Sequence, residues 1–325
     1  MPLIAVDAMG GDSAPREIVE GAIVAATQGS RVVLVGDESQ ISPMLDGRDV
    51  DVSVVHASQV ITMHDVPHRA IREKKDASVA VAARMVSDGD ADAMVSAGST
   101  GAALASAAFL IGRLPQVVRP GIASIFPTGH VVMDVGANIE CKPEHLLQFA
   151  VMGSAVATVY QGIESPRVGL LNIGEEDSKG RELEKDAFEL LTHSSAVNFA
   201  GNVEGRDLAT DIADVIVTDG FTGNVLLKTG EGTGKVIQRL ILETLAKPEF
   251  VDAVQELMPA FMELRERLSP ESVGGAHLIG TKGVVVIAHG SSTRVAISNA
   301  IRIAAEGSTK GLVEKVSAGI SDLSD

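Results

Sequence analysis

The sequence predicts an α/β fold with a mostly parallel sheet covered by helices, and three observations predict it. Short β-branched apolar runs alternate with amphipathic stretches along the whole chain. Prolines stand where helices open: Pro15 ahead of EIVEGAIVAATQ, and Pro143 ahead of EHLLQFAVMGSAVATVYQ. Glycine-bearing polar turns follow the strand-like runs, the place where open α/β sheets hold their ligands.

In order, the predicted strands are Leu3–Asp7, Arg31–Gly36, Val52–His56, Ala91–Ser96, Gly121–Phe126, Val131–Val135, Val168–Ile173, Ala196–Ala200, Val215–Thr218 and Val284–Ala288. Pro127-Thr128-Gly129 lies between two of these runs and reads as a hairpin turn. Most other gaps carry helical periodicity. From Thr222 to about Leu268 the helical pattern is nearly continuous, with a break near Lys247-Pro248. Its second half puts Val254, Leu257, Met258, Phe261 and Met262 on one face, interrupted by Pro259. Such a hairpin needs a partner surface, because helices seldom stand on propensity alone. A dimer seam, an acyl-chain groove and a membrane-touching tip all suit it. After Gly307 the pattern weakens into a polar tail. Residues 1–325 are expected to form one domain.

Composition excludes several classes. Acidic residues outnumber basic ones 43 to 27, giving a net charge of -16. That balance opposes nucleic-acid binding, which rests on phosphate neutralisation by Lys and Arg. With no tryptophan and one tyrosine, base stacking has little to work with. No apolar run reaches the ~18–20 residues that span a bilayer. The start, MPLIAVDAMGGD, has no basic leader and reads as a first strand, so a cytoplasmic location is expected. The single cysteine, Cys141, fits a reducing compartment. As a nucleophile it competes with the commoner reading of a small packed residue.

Six loops share one chemical character. They are Asp7–Asp12, Ala97–Gly101, Gly136–Asn138, Gly174–Gly180, Asp219–Asn224 and His289–Ser292. Each has glycine where backbone must approach a ligand closely, and several open helices, whose free N–H groups favour anions. Singly, Ser99, Thr100, Thr222 or Ser291 could be a helix cap. Six such loops on one sheet edge would build anion cradles. Familiar alternatives fail. Gly230-Glu231-Gly232-Thr233-Gly234-Lys235 has the wrong spacing for a phosphate-binding P-loop, and neither G-x-G-x-x-G after the first strand nor G-x-S-x-G occurs. Anion cradles, one lysine in an acidic loop and no covalent nucleophile suit a small anion as the attacking group. Inorganic phosphate attacking a thioester is such a case. The leaving thiol has a pKa of about 8.5, so alignment and oxyanion stabilisation are the main tasks.

The stretches IAVDAMGGD, REKKDAS, VSAGSTGA, VMDVGAN, LLNIGEEDSKG, ADVIVTDGFTGNVLLKTGEG, GGAHLIG and IAHGSS run in this order between residues 4 and 292. Together they resemble the PlsX family, the acyl-acyl-carrier-protein:phosphate acyltransferases. The resemblance implies a three-layer α/β/α sandwich, akin to phosphate acetyltransferases and to isocitrate and isopropylmalate dehydrogenases, with a protruding helical hairpin. It implies a homodimer that takes a long-chain acyl group from acyl carrier protein to inorganic phosphate, without cofactor or metal. The acyl phosphate would then feed a membrane acyltransferase in phospholipid synthesis. The family is cytoplasmic and often peripheral on the membrane.

Carried onto this chain, the resemblance makes Lys179 the first catalytic candidate, holding phosphate or steadying the oxyanion. A surface ion pair to Glu175 or Asp177 is its alternative. Asn224 follows as an orienting or oxyanion donor, and Asn138 and His289 would line the same cleft, His289 alternatively neighbouring a helix cap. Gly98, Ser99, Thr100 and Gly101 are the phosphate cradle. Asp7 and Asp219 order loops or bind the pantetheine arm. Gly220, Thr222, Gly223 and Gly290 complete the substrate-binding set. The family usually has asparagine at Ser99 and proline or serine at His277. Acids outnumber Arg265 and Arg267 in the second half of the hairpin, which weakens the case for an anionic lipid surface. An acidic carrier protein needs a basic dock. His68-Arg69-Ala70-Ile71-Arg72-Glu73-Lys74-Lys75 is the densest such stretch, with Arg239, Lys247, Arg265 and Arg267 as rivals. A nicotinamide-dependent dehydrogenase, a CoA-dependent phosphate acyltransferase and a non-catalytic scaffold for lipid enzymes are the competing functions.

Overall fold

A computed structural model describes residues 1–268 and 274–324, without the side chains of 251–253, 266–268 and 324. The side chain of Arg267, a docking candidate, therefore lies outside the described set. The strands are β1 Leu3–Asp7, β2 Arg31–Gly36, β3 Val52–His56, β4 Ala93–Ser96, β5 Gly121–Ile125, β6 Val131–Met133, β7 Arg167–Leu171, β8 Asn198–Val203, β9 Val215–Val217, β10 Ala276–Ile279 and β11 Val284–Ile287. The helices are α1 Arg16–Thr27, α2 Glu38–Leu45, α3 Pro67–Glu73, α4 Ser78–Asp88, α5 Thr100–Ser106, α6 Pro143–Gln161, α7 Glu182–His193, α8 Gly220–Leu245, α9 Val251–Leu268, α10 Arg294–Thr309 and α11 Leu312–Ser321. A π turn, Ala107–Ile111, prolongs α5.

All the strands join one sheet in the order β3-β2-β1-β4-β11-β10-β5-β6-β9-β7-β8. Helices α1, α6, α7, α10 and α11 cover one face, burying Ile18, Phe149, Leu191, Ile297 and Val316. Helices α3, α4 and α5 cover the other with Ile71, Val79 and Ala103, and the first turns of α8 join them through Leu226 and Leu227. The fold is therefore the expected three-layer sandwich around a mostly parallel sheet. Each fully buried Leu, Ile or Phe contributes roughly 1.5–3 kcal/mol.

Strand polarity corrects one expectation. β1, β2, β3, β4 and β11 are mutually parallel, and so are β6, β7, β8 and β9. Between these halves come three antiparallel steps, β11–β10, β10–β5 and β5–β6. An odd number of reversals turns the second half around. The loops after β1, β4 and β11 thus lie at one edge of the sheet, and those after β6, β7 and β9 at the opposite edge. The six loops do not share one edge. Two features cause this: the tight turn at Pro127–Gly129, where the Phe126 N–H donates to the His130 carbonyl at 2.8 Å, and β10, a strand absent from the sequence expectation.

Two further differences are local. The expected polar tail after Gly307 instead completes α10 and adds α11, whose Leu312, Val316 and Ile320 recur every fourth residue and are all buried. Helix α9 runs through Pro259 rather than breaking there. That position is exposed, so water can satisfy the carbonyl that proline leaves without a donor. Several apolar side chains of the hairpin, Val236, Ile237, Leu240, Leu257, Met258 and Met262 among them, are exposed in this chain, while Val254 and Phe261 are partly covered.

Candidate active site

At the first edge, β1 ends in Asp7, which is buried and takes hydrogen bonds from the Ser78 and Ser96 hydroxyls at 2.6 and 2.7 Å and from the Met9 N–H at 3.3 Å. Burial pushes its carboxyl above the usual range, partly offset by these donors. Asp7 therefore ties the ends of β1 and β4 to the start of α4. Gly10 packs on Gly98 so closely that a Cβ would sit 2.7 Å from the Gly98 nitrogen. The Gly98 N–H donates to the Ser96 hydroxyl at 3.2 Å. Ser99 caps α5 by accepting from the Ala102 N–H at 3.4 Å, and Thr100 and Gly101 open that helix. The Asp12 N–H donates to the Gly290 carbonyl at 2.8 Å. His289, half exposed, places Nε2 3.7 Å from Glu231 of α8. Burial lowers the His289 pKa.

At the opposite edge, Asp134 follows β6 and is fully buried. Its carboxylate accepts from the N–H groups of Ile122, Gly136, Ala137 and Asn138 at 2.7–3.1 Å and from the Asn138 amide at 2.8 Å. Burial raises its pKa against those donors. Asn138 spends its amide hydrogens on Asp134 and on the Pro120 carbonyl, 2.9 Å away, and so shapes the loop. The Gly220 N–H donates to the Asn138 carbonyl at 2.8 Å. Gly223 lies under the Asp134 carbonyl, where any Cβ would collide. One residue on, Asn224 borders Gly136, is exposed, and makes no hydrogen bond among the described residues.

Asp219 caps α8, accepting from the Thr222 N–H at 2.8 Å and the Thr222 hydroxyl at 2.9 Å. Arg181 also donates to it, at 2.5 Å. Burial pushes the Asp219 carboxyl up, but the Thr222 and Arg181 donors outweigh it and hold the pKa below the usual value. Arg181 donates equally to the buried Glu184, with Nε at 2.9 Å. Two residues before Arg181, Lys179 stands on the loop after β7. That loop is held by Asn172, which donates to the Lys179 carbonyl at 3.1 Å, and by Asn202, which donates to the Glu176 carbonyl at 3.0 Å. The Lys179 ammonium pairs with Glu176 rather than Glu175 or Asp177, at 3.8 Å with both side chains exposed. Such a pair contributes little and leaves the ammonium accessible.

The predicted residues thus fall into two groups. Asn138, Asp219, Gly220, Thr222, Gly223 and Asn224 gather at the start of α8, and Arg181 ties the loop that carries Lys179 to the same end. Asp7, Gly98, Ser99, Thr100, Gly101, His289 and Gly290 gather at the other edge. His289 and Asn138 belong to different groups, because β11 and β6 run in opposite directions. Helix α8 joins the groups: Asn224, Lys228 and Glu231 recur at helical spacing, Lys228 meets Glu231 at 3.0 Å, and Glu231 faces His289. Asn224 to Glu231 is a rise of about 10 Å.

Sequence reasoning missed Asp134, Arg181, Ser78 and Ser96. Asp134 lies within VMDVGAN, and Arg181 follows LLNIGEEDSKG directly, so position along the chain was the available signal. Cys141 is half-buried, and burial pushes its thiol up to about 11, which leaves little nucleophilic thiolate. Among the described residues, no three His, Cys, Asp or Glu side chains come together as a metal site.

Residues 3–315 match the model of a family described as fatty acid synthesis protein. The chain is 46% identical over 319 residues to a phosphate acyltransferase of Desulforamulus reducens, covering 96% of each chain. Its fold is similar to a phosphotransacetylase from Streptococcus pyogenes, with TM-score 0.60, 16% identity and coverage of 96% of this chain and 94% of that one. It is also similar to a 4-hydroxythreonine-4-phosphate dehydrogenase from Klebsiella pneumoniae, with TM-score 0.50, 12% identity and coverage of 94% and 97%.

Proposed function

The chain belongs to the PlsX family of phosphate acyltransferases, and we propose that its donor is a long-chain acyl group on acyl carrier protein. As an acyltransferase it moves an acyl group to phosphate. The observation that carries the finer reading is the Arg181–Asp219 contact, which ties the loop bearing Lys179 to the capped start of α8, the helix that bears Asn224. A phosphate oxygen attacks the thioester carbonyl and forms the new C–O bond. The tetrahedral oxyanion collapses, the C–S bond breaks, and the electron pair leaves on the pantetheine sulfur. The product is acyl phosphate. In this scheme the Lys179 ammonium and Asn224 amide hold the phosphate and the developing oxyanion, and Asn138 holds the Asp134 loop against the start of α8. No covalent enzyme intermediate is formed.

The exposed apolar residues flanking this group, Ile139, Ile173, Phe221 and Val225, support a long acyl chain. The loop of Gly98, Ser99, Thr100 and Gly101, expected as the phosphate cradle, lies at the opposite edge with Asp7, His289 and Gly290, and in this reading would receive the polar end of the donor instead. The exposed apolar hairpin supports a homodimer. Among the described residues no helix is long and apolar enough to cross a membrane, and contact with a membrane acyltransferase or the inner membrane face would be peripheral to a cytoplasmic enzyme. The fold shared with a phosphotransacetylase supports a CoA-linked donor as the second reading.

The test is turnover of long-chain acyl carrier protein with inorganic phosphate, trapping the product with hydroxylamine, beside acyl-CoA. Phosphate-dependent hydroxamate from the carrier supports the first reading. Product from acyl-CoA alone supports the second. Absence of product from both, with the protein folded, leaves the scaffold.

A further inference from the structure

We propose that α3 and the π turn after α5 form the docking face for the acidic carrier of the acyl donor, an inference that rests on the carrier-protein reading above. The face is cationic in a chain whose net charge is -16. Arg69 is paired with Glu73 and Lys74 with Asp65, each at 2.7 Å. Arg72 and Lys75 have no carboxylate partner among the described residues. Arg72 instead lies over the Phe109 ring, 5.8 Å from its centroid, a cation–π contact that occupies no carboxylate.

Phe109, under Arg72, is 57% exposed, and Met63 and Val66, on the segment that leads into α3, are 60% and 53% exposed. Isolated exposed apolar residues need no explanation. An exposed aromatic ring under one unpaired cation, with a second just past the end of α3, is a surface that an amphipathic acidic helix complements, its carboxylates on Arg72 and Lys75 and its apolar edge on Phe109. Helix α3 is seven residues long, a span of about 10 Å. A patch of that size matches one helix of a small protein better than a membrane plane.

Position links the face to the chemistry. The Pro67 ring of α3 sits against Gly101, where a Cβ would approach it to 2.7 Å. The face therefore borders the Ser99–Thr100–Gly101 loop. Helix α8 lies on the same side of the sheet and leads from Glu231 to Asn224. A carrier held at α3 would present its flexible arm to the start of that path.

The test uses the full chain and two donors, a long-chain acyl carrier protein and the corresponding acyl-pantetheine, with phosphate constant. Arg72→Glu with Lys75→Glu is expected to raise the carrier KM about tenfold, leave kcat within twofold, and leave acyl-pantetheine turnover unchanged. Phe109→Ser should raise the same KM by a smaller factor. The wild-type carrier KM should rise with ionic strength more steeply than that of the double variant. An unchanged carrier KM overturns the assignment. Equal losses with both donors at unchanged Tm also overturn it, since these residues would then serve chemistry. If the variant loses binding to anionic phospholipid vesicles while its carrier KM stays constant, the face is a membrane contact and the proposal fails. Wild-type turnover of acyl-pantetheine without turnover of the carrier would overturn the carrier reading itself, an outcome distinct from the others.

Discussion

Arg181 donates to Asp219 across 2.5 Å, and this contact joins the loop that carries Lys179 to the helix that carries Asn224. One guanidinium serves two buried carboxylates: its Nη2 donates to both Asp219 and Glu184, and its Nε donates to Glu184 as well. Without Arg181 both would lack their cation. Arg181→Gln is expected to lower kcat by 10–100-fold, on the order of what misplacement by an ångström costs. Arg181 is largely exposed, so the stability loss should be modest, about 1–2 kcal/mol. Arg181→Lys should recover part of kcat. Steady-state kinetics and thermal unfolding of both variants check this, and an unchanged kcat in Arg181→Gln would remove the positioning role.

Lys179 and Asn224 should behave differently. Neither holds the fold together, so Lys179→Ala and Asn224→Ala should stay within about 0.5 kcal/mol of the parent. Their kcat should drop by about 10²–10³, the scale of losing one oxyanion donor. Persistence of turnover in Lys179→Ala, measured by hydroxamate formation, would contradict its catalytic role.

Gly223 has no room for a side chain against the Asp134 carbonyl. Gly223→Ala should destabilise by roughly 1–3 kcal/mol through overpacking and should shift α8 away from the Asp134 loop. Denaturant unfolding checks the first effect, and a crystal structure of the variant checks the second.

His277 is buried in β10 against Tyr160, with ring centroids 4.5 Å apart and neither ring nitrogen hydrogen-bonded among the described residues. Burial lowers its pKa to about 4, against about 6.5 for an unfolded histidine. Below pH 6.5 the unfolded chain takes up a proton that the folded chain refuses. Stability from the neutral ring is therefore complete above pH 6.5 and is lost as pH falls toward 4, by about 3 kcal/mol. His277→Phe keeps a ring on Tyr160 and should flatten the fall of Tm between pH 6.5 and 4. An equally steep fall in the variant would assign that acid sensitivity to the carboxylates.

Much of the fold was legible because its signals are local. The β-branched runs of β1, β2 and β3 were found to the residue, as was the hairpin turn at Pro127–Gly129. β8 was less clear: Ala196–Ala200 was expected and Asn198–Val203 is observed, because Gly201 and Asn202 weaken its far end. β10 was missed because AHLI is short and carries a histidine that would ordinarily face water. Among site residues, Lys179 and Asn224 were nominated through the family resemblance of the stretches that hold them. Arg181 was not, since its meaning depends on Asp219, 38 positions away.

By itself the sequence determined the α/β class, the acidic character, the lack of a nucleophile motif and the set of glycine-bearing loops, since these follow from residue type and short-range spacing. Only the tertiary structure decided which loops meet. Three antiparallel steps reverse half of the sheet, so loops of one chemical type part to opposite edges and α8 becomes their link. Strand polarity is set by long-range pairing, and a run of valines reads the same whichever way its strand points.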